Sequence, residues 1–434
     1  MIESSVFGCA KGCAMMEKII IEGGKRLSGE MTVHGAKNSA LPILAATVLT
    51  TKRTVIHNCP RLTDVDAAIN ILLHLGCVVE VDGDCVTVDA SNINCWDIPD
   101  TLMREMRSSV VFLGAVLART GKASFSTPGG CEIGLRPIDL HLFAMNRLGA
   151  QIKEEYGRLE CECPEGLVGD EIILSFPSVG ATENAMLAAV LAKGTTTIIN
   201  CAREPEISDL ADFLNGCGAK ISGAGEGTIV IEGVKTLGGT EHTVIPDRIA
   251  ATTYMAAAAV TQGRIRLNEI IPAHLGPVIP MFEEAGCDII VCGHSLSIAA
   301  PPRLRRIKTI RTMPYPGFPT DAQAPIMAMT TIADGTSLVV ENIFECRYKH
   351  VNELVRLGAK IKVEGRMAVV EGVPCLYGAP VIAGDLRGGA ALVVAGLAAK
   401  GITQIEGVSH IDRGHADFEK NLTLMGAIVR REKE

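Results

Sequence analysis

Runs of small and apolar residues recur along the chain, and most are followed by a stretch rich in β-branched residues. One such run, 185–192, precedes Thr195, Thr196, Thr197, Ile198 and Ile199. Alanine-rich and leucine-rich segments are typical of closely packed helices, whereas β-branched segments are typical of strands. The pattern therefore predicts alternating helices and strands in which the alanine-rich helices are buried. These runs are 41–49, 185–192, 250–260, 324–331 and 390–399.

A second pattern divides the chain into six similar units. In each unit a glycine followed by alanine or cysteine ends a helix-like stretch, and successive glycines lie 73, 69, 68, 72 and 68 residues apart. Glycine at this place permits the left-handed conformation in which many helices end. The six glycines are Gly76, Gly149, Gly218, Gly286, Gly358 and Gly426. We therefore expect an α/β protein built from six repeats of a βαβαββ-type unit.

Six units exceed what one hydrophobic core accommodates, so we expect two domains of three units each. The fourth unit begins near residues 244–247, and the strand-like segment 17–34 precedes the first helix. If the units exchange edge strands, that segment completes the second domain. The expected boundaries are 37–245 for one domain, 17–36 plus 246–434 for the other, discontinuous domain, and 1–16 for an N-terminal tail.

Composition narrows the possible partners and compartment. The net charge of −8 does not favour nucleic acid or anionic lipid, which call for a basic surface. The longest apolar run, 388–399, is shorter than the roughly 20 residues of a membrane span. Residues 1–16 lack the apolar run of a signal peptide, and the fifteen cysteines lack zinc-ligand spacing. We expect a cytoplasmic protein without nucleic-acid, membrane or metal partners, and a monomer, with oligomerisation left open.

Charged residues recur where the small-residue helices begin. A cation at a helix N-terminus opposes the helix dipole, so capping does not explain Lys37, Arg107 or Arg387. Such N-termini bind anions, which indicates a site for anionic substrates. N-capping is the commoner role for Ser178 and for Asp321, with a general base as the alternative for Asp321.

The segment 126–141 is a second candidate for chemistry. The run Pro128, Gly129 and Gly130 predicts a sharply turned or mobile loop that carries Cys131 near its tip. A nearby Arg136 and a helix that starts at the following proline would lower the thiol pKa and raise its reactivity. The alternative is a loop cysteine without a role.

Several longer segments resemble the UDP-N-acetylglucosamine 1-carboxyvinyltransferases, a family of enolpyruvyl transferases. They are 35–42, 106–109, 128–134, 136–141, 178–182, 318–321, 385–387 and 410–414, and the resemblance runs from about Lys18 to the C-terminus. It implies two inside-out α/β barrel domains with the site in the cleft between them. The implied reaction moves the enolpyruvyl group of phosphoenolpyruvate to the 3′-hydroxyl of UDP-N-acetylglucosamine and releases phosphate. This is the first committed step of peptidoglycan precursor synthesis, and it implies no metal or organic cofactor.

The resemblance also implies a role for each matched residue. Cys131 would protonate the vinyl carbon and can add to phosphoenolpyruvate, and Asp321 would be the base for the sugar hydroxyl. The residues implied for phosphoenolpyruvate are Lys37, Asn38, Arg136, Arg347, Arg387 and Arg413. Those implied for UDP-N-acetylglucosamine are Arg107, Arg136, Pro137, Ile138, Asp139, Leu140, Ser178, Val179, Gly180, Asp321 and Ile343.

Other functions are weighed against this one. A 5-enolpyruvylshikimate-3-phosphate synthase-like transferase would share the fold and the donor, but the Cys131 loop and the 136–141 segment argue against it. A non-catalytic paralogue that binds the nucleotide sugar is a second alternative, and the intact set of matched residues argues against it. A sixfold ring that clamps DNA would need basic inner faces, which the acidic net charge does not favour.

Overall fold

Strands and helices alternate along the chain in the order that the six-unit pattern predicts. The computed structural model describes residues 17–106, 108–126 and 138–433. The described strands are β1 (Glu17–Glu22), β2 (Ser28–Thr32), β3 (Thr54–His57), β4 (Val78–Asp82), β5 (Cys85–Asp89), β6 (Asp97–Ile98), β7 (Lys122–Ser126), β8 (Gln151–Glu155), β9 (Arg158–Glu162), β10 (Glu171–Ile173), β11 (Thr195–Ile199), β12 (Lys220–Ser222), β13 (Thr228–Glu232), β14 (Glu241–Thr243), β15 (Arg264–Asn268), β16 (Asp288–Cys292), β17 (Ser295–Ala299), β18 (Thr309–Arg311), β19 (Thr336–Val340), β20 (Lys360–Glu364), β21 (Met367–Glu371), β22 (Pro380–Ile382), β23 (Ile402–Glu406) and β24 (Ile428–Lys433).

Fourteen α-helices and three short 3₁₀ turns are present among the described residues. The described α-helices are α1 (Lys37–Ala46), α2 (Thr63–His74), α3 (Asp100–Glu105), α4 (Phe112–Thr120), α5 (Asp139–Arg147), α6 (Val179–Ala189), α7 (Pro205–Gly216), α8 (Arg248–Val260), α9 (Ile279–Glu284), α10 (Thr320–Thr330), α11 (Val351–Arg356), α12 (Leu386–Ala398), α13 (Val408–Ile411) and α14 (Phe418–Leu424). Short 3₁₀ turns occupy Thr47–Leu49, Ser109–Val111 and Pro272–Leu275. No helix of the described residues is long and apolar enough to cross a membrane.

Within the described residues the strands form six sheets of four, one for each repeat. The strand orders are β14-β3-β5-β4, β6-β7-β9-β8, β10-β11-β13-β12, β2-β15-β17-β16, β18-β19-β21-β20 and β22-β23-β1-β24. In every sheet the first two strands are parallel and the remaining neighbours are antiparallel. The sixfold α/β architecture expected from the sequence is therefore confirmed.

The six repeat glycines end their helices as predicted. Their φ angles lie between 92° and 101°, in the left-handed region. In each unit the amide of the next residue donates to a carbonyl five residues earlier, as Cys77 does to Leu72 at 3.0 Å. This pairing satisfies a carbonyl that the helix end would otherwise leave without a partner. The repeat therefore has a local backbone cause, which explains why it is visible in the sequence.

Two hydrophobic cores occupy the inside of the sheets. The first core consists of buried residues between 40 and 244, and the second of buried residues between 19 and 33 and between 250 and 429. In the second core α8, α10 and α12 pack on one another, and all thirteen residues of α8 are buried. In the first core α4 contacts both α1 and α6. Alanine-rich helices can approach this closely because their side chains are short, and the sheets lie outside them.

The N-terminal segment differs from the single strand expected over residues 17–34. It forms two strands in two different sheets, since β1 pairs with β23 and β24 whereas β2 pairs with β15. In its sheet β1 lies between its two partners rather than at an edge. Ile19, Ile20 and Ile21 are all buried, and a continuous apolar run suits an interior strand that is covered on both faces.

The chain passes between the two cores at two neighbouring places. Gly35 and Pro246 form an antiparallel bridge, and the Ala36 amide donates to the Ile245 carbonyl at 2.7 Å. Asp247 caps α8 through the amides of its first turn, and its other carboxylate oxygen accepts the Lys37 amide at 3.3 Å. One carboxylate therefore serves the N-termini of α1 and α8, which brings the starts of these helices together.

Candidate functional site

One partly buried carboxylate, Asp321, joins two arginines near the starts of α10 and α12. Asp321 Oδ1 lies 2.8 Å from Arg347 Nη2, and Asp321 Oδ2 lies 2.7 Å from Arg387 Nη2. Both arginine side chains are 3% exposed, whereas Asp321 keeps 25% of its side chain exposed. Burial alone would raise the pKa of Asp321, but the Arg387 and Arg347 guanidiniums outweigh it and hold this pKa well below its ordinary value. Asp321 is therefore a carboxylate in the free protein.

Asp321 does not cap its helix. The N-cap of α10 is Pro319, which makes no side-chain capping bond, and Asp321 is the second helical residue. The capping alternative is therefore wrong for Asp321, because its two oxygens are used by arginines. Ser178 is a cap, since its Oγ accepts the Ala181 amide at 3.4 Å.

The loop that carries Arg347 is organised by a second buried acid, Glu341. One of its oxygens accepts the Thr312 hydroxyl at 2.9 Å and the Ile343 amide at 2.8 Å. The other accepts the hydroxyl of Thr320, the first residue of α10, at 3.0 Å. Glu341 therefore ties Ile343 to the start of α10 and to the neighbouring Asp321.

A second carboxylate joins two cations that come from different cores. Asp64, near the start of α2, contacts Arg413 Nε at 2.8 Å and Arg413 Nη2 at 3.2 Å. Lys37 Nζ lies 3.1 Å from Asp64 Oδ2. The Asp64 side chain is 2% exposed, so the group is almost withdrawn from water. The arrangement repeats that of Asp321, with one acid between two cations.

Charges of both ionic clusters act on Lys37. Burial lowers the pKa of Lys37, Asp64 opposes this shift, and the charges of Arg387 and Arg413 add to it. The result is a lysine pKa below its ordinary value. Because a residue of one cluster feels the charges of both, an anion that carries two charged groups could engage both clusters at once.

Within the first core, the start of α6 packs closely against α5. Gly180 lies so near the His141 ring that an added Cβ would stand 2.9 Å from its Cε1 atom. Ser178 and Val179 precede Gly180 at the same helix start, and Thr182 Oγ1 donates to the Ser178 carbonyl at 2.8 Å. Only glycine allows the helix start to lie this close to the imidazole.

Asn184 fixes the position of α6 within the first core. Its Oδ1 accepts the Gly114 amide at 2.7 Å, and its Nδ2 donates to the Val110 carbonyl at 2.9 Å. The same Nδ2 lies 2.8 Å from His141 Nδ1. Because the other two contacts fix the amide orientation, His141 Nδ1 must accept and the ring proton must lie on Nε2.

Some of the remaining expected site residues lie within the described part of the chain, and the others lie outside it. Asn38 follows Lys37 in the first turn of α1 and is half-buried. Ile138 and Leu140, also half-buried, flank the exposed Asp139 at the start of α5. The predictions for Arg107, Cys131, Arg136 and Pro137 concern positions outside the described residues.

Sequence reasoning missed Asp64, Glu341 and Asn184. An acid in the first turn of a helix is ordinarily explained by the helix dipole, so Asp64 carries no local signal of a binding role. Glu341 and Asn184 act through partners that are distant in sequence. The part of the chain that the structure describes contains no cluster of potential metal ligands.

Comparison with known proteins connects this site to a family. The family profile of EPSP synthase (3-phosphoshikimate 1-carboxyvinyltransferase) matches residues 21–422. The UDP-N-acetylglucosamine 1-carboxyvinyltransferase 2 of Caldanaerobacter subterraneus subsp. tengcongensis is 54% identical over 416 residues, which cover 96% of this chain and 100% of that protein. The UDP-N-acetylglucosamine 1-carboxyvinyltransferase of Geobacter metallireducens is 48% identical over 419 residues, with coverage of 96% and 100%.

Solved structures share the architecture. The enolpyruvyl transferase NikO from Streptomyces tendae superposes with a TM-score of 0.87 at 26% identity and covers 97% of this chain and 100% of its own. An EPSP synthase from Acinetobacter baumannii gives a TM-score of 0.73 at 17% identity, with coverage of 96% and 100%, a likeness that shows the fold alone.

The sixfold architecture and the family profile define the class of this protein as an enolpyruvyl transferase. The relatives at 54% and 48% identity match it almost from end to end. The chain belongs to the UDP-N-acetylglucosamine 1-carboxyvinyltransferase family. The family and the fold expected from the sequence are thus confirmed.

Proposed function

We propose that this enzyme transfers the enolpyruvyl group of phosphoenolpyruvate to the 3′-hydroxyl of UDP-N-acetylglucosamine and releases phosphate, the first step of peptidoglycan synthesis. The observation that carries the proposal is the presence of two cation pairs in one site, Arg347 with Arg387 and Lys37 with Arg413. Phosphoenolpyruvate carries two anionic groups, a carboxylate and a phosphate. Relatives named for this activity match the chain at about half of all positions.

In this proposal the two cation pairs divide the anionic groups between them. Arg347 and Arg387 hold the carboxylate, because planar guanidiniums match carboxylate oxygens in pairs. Lys37 and Arg413 hold the phosphate together with Arg136, and Asn38 orients the reacting carbon. In support, Arg347 Nε and Arg387 Nη1 are buried and have no acceptor among the described residues. A buried N–H group without an acceptor is costly, so these two atoms suit a ligand.

Asp321 then serves as the base for the sugar hydroxyl. Held between two guanidiniums, it is a weak base in the free enzyme. A substrate carboxylate that competes for Arg347 and Arg387 would loosen this hold and raise the proton affinity of Asp321. Asp321 would thus become a stronger base only when phosphoenolpyruvate is bound, so it would not deprotonate the sugar hydroxyl in the absence of that substrate.

The bonds change in two steps. In the addition, the 3′-oxygen bonds to C2 of phosphoenolpyruvate, its proton passes to Asp321, and the Cys131 thiol gives a proton to C3. In the elimination, the thiolate left on Cys131 takes a proton back from C3, the bond between C2 and the phosphate oxygen breaks, and the released phosphate carries away the proton held by Asp321. The positive charges beside the phosphate favour the elimination, because they stabilise the negative charge of the leaving group.

The nucleotide sugar occupies the neighbouring surface in this proposal. Its contacts are Arg107, the segment 136–140, the segment 178–180 and Ile343. Support comes from the close packing of Gly180 on His141, which brings the starts of α5 and α6 together, and from the Glu341 contacts that fix Ile343 beside α10.

We also propose the domain division 37–245 and 17–36 plus 246–434, which the two hydrophobic cores support. The site then lies between the domains, because Asp64 and Arg413 belong to different cores. We further propose that the enzyme acts in the cytoplasm, where thiols remain reduced, and its fifteen cysteines are compatible with that compartment.

Phosphate release tests the reaction. Purified protein should release phosphate from phosphoenolpyruvate when UDP-N-acetylglucosamine is added and not in its absence. Shikimate 3-phosphate serves as the competing acceptor, because the EPSP synthase profile also matches this chain. Release with shikimate 3-phosphate alone would assign the other transferase activity, and no release with either acceptor would contradict the proposal.

Thiol labelling tests the role of Cys131. An epoxide such as fosfomycin should modify Cys131 and abolish turnover, and C131A should remove both the labelling and the turnover. C346A is the matched control, because Cys346 is exposed and is not assigned a role. Seven described cysteines are buried and so protected from the reagent. A label that maps to Cys346, or full activity in C131A, would refute the assignment.

A further inference from the structure

Asp64 occupies the centre of the proposed phosphate subsite. It contacts Lys37 from its own core and Arg413 from the other core, at 2.8 to 3.2 Å. Both of its oxygens are used, and Oδ2 is shared by the two cations. These donors, one ammonium group and one side of a guanidinium fork, are a set that also suits phosphate oxygens. The carboxylate therefore takes the place of an anion on these cations in the free protein.

The surroundings make this contact persistent. Asp64 is 2% exposed and Lys37 10% exposed, so water screens their interaction weakly. The Thr63 amide lies 3.5 Å from the Asp412 carbonyl, which places a backbone contact between the two cores beside the ion pair. Asp64 lies in the first turn of α2, where the helix dipole favours a negative charge. An incoming anion must therefore compete with a carboxylate that is well held.

We propose that Asp64 is an internal anion that holds Lys37 and Arg413 until the substrate phosphate replaces it. The proposal rests on the assignment of these two cations to the phosphate. Asp321 has the same relation to Arg347 and Arg387, but Asp64 is buried and has no proposed part in proton transfer. Its role is to set how strongly an anion must bind in order to displace it.

This role predicts selectivity for doubly charged groups. A monoanion offers Arg413 and Lys37 no more charge than Asp64 already gives, so it gains little by replacing it. A phosphate dianion offers twice the charge, which compensates for the loss of the internal contact. Removal of the Asp64 charge should therefore strengthen anion binding. If Asp64 instead served only to position Lys37 and Arg413, its replacement would weaken anion binding.

The test compares D64N with D66N. Asparagine has nearly the shape of aspartate but no charge, and Asp66 is an exposed acid on the same helix. Calorimetric titration with inorganic phosphate should give binding about tenfold tighter for D64N than for the wild type, and unchanged binding for D66N. D64N should also bind formate measurably better than the wild type. Unchanged or weaker phosphate binding in D64N would overturn the proposal.

Two further measurements keep the test decisive. If circular dichroism shows that D64N does not fold, D64S carries the same expectation, because it removes the charge and leaves a hydroxyl for Lys37. Phosphate binding needs no acceptor sugar, so it is independent of the transfer assay. If D64N binds phosphate more tightly but the wild type shows no transfer activity, the role of Asp64 is supported and the proposed function is not. If the wild type shows transfer activity but D64N binds phosphate more weakly, the proposed function is supported and the role of Asp64 is not.

Discussion

The buried His141 should make the first core sensitive to acid. Burial lowers the pKa of this imidazole from its ordinary value of 6.5 to about 4, a shift that Asp139 only partly opposes. Its Nδ1 accepts a hydrogen bond from Asn184 at 2.8 Å and cannot take a proton without losing that bond. Because the folded pKa lies below the unfolded one, the unfolded chain takes up the proton first. The stabilisation is therefore complete above about pH 6.5 and is lost as the pH falls toward 4.

The size of the effect follows from the shift. Between pH 7.5 and pH 5.0, a pKa displaced from 6.5 to about 4 accounts for a loss of about 2 kcal/mol in the free energy of unfolding. H141N removes the titration but keeps an acceptor oxygen in the place of Nδ1. The variant should therefore lose about 2 kcal/mol less than the wild type over this pH range, whatever constant cost its smaller side chain adds.

Urea unfolding followed by circular dichroism at both pH values measures this difference. H294N is the control, because His294 is exposed and its loss removes one histidine from the surface. It should show the same pH dependence as the wild type. If H141N loses as much stability as the wild type between the two pH values, the buried neutral state assigned to His141 is wrong.

Three further changes test two residues of the proposed site and one buried ion pair outside it. G180A places a Cβ 2.9 Å from the His141 ring, so KM for UDP-N-acetylglucosamine should rise about tenfold with kcat nearly unchanged; an unchanged KM in steady-state kinetics would count against the nucleotide assignment. D321N should lower kcat by roughly 10²-fold or more, as loss of a general base does; a kcat near that of the wild type would exclude this role. R248M leaves Glu206 unpaired in a buried bidentate contact of 3.0 and 3.2 Å, and should cost about 3–5 kcal/mol of unfolding free energy. Adding E206Q should recover most of that cost, and additive losses in urea unfolding would contradict the pairing.

The features that the sequence predicts are those with a local cause. The repeat glycines are recognisable because each must adopt a positive φ where a helix ends, and this requirement acts within a few residues. Lys37 and Arg387 stand out for a similar reason, since a cation in the first turn of a helix conflicts with the helix dipole. Such conflicts are detectable without knowledge of the fold.

Strand exchange has no local cause and was predicted only in part. The interior position of β1 depends on pairing with β23 and β24, as in the pairs Ile19 with Ile405 (405 − 19 = 386 residues apart) and Ile20 with Arg430 (430 − 20 = 410 residues apart). The continuous apolar run of Ile19, Ile20 and Ile21 indicates a buried strand, but it does not show which strands flank it. The same limit applies to Asp64, whose partner Arg413 is 349 residues away.

Two ion pairs at helix starts, Arg248 with Glu206 and Arg387 with Asp321, differ in how completely the arginine donors are used. Arg248 gives two atoms to Glu206, and none of its nitrogens is both buried and without a partner among the described residues. Arg387 binds Asp321 through one nitrogen but keeps Nη1 buried and unpartnered. Both pairs neutralise a buried guanidinium, which folding requires because an unpaired buried charge is costly. Only the second pair leaves a buried N–H donor, Arg387 Nη1, without an acceptor. The free-energy penalty of this unsatisfied donor is removed when a ligand supplies an acceptor. The incomplete pair therefore supports the proposal that Arg387, rather than Arg248, binds the substrate carboxylate.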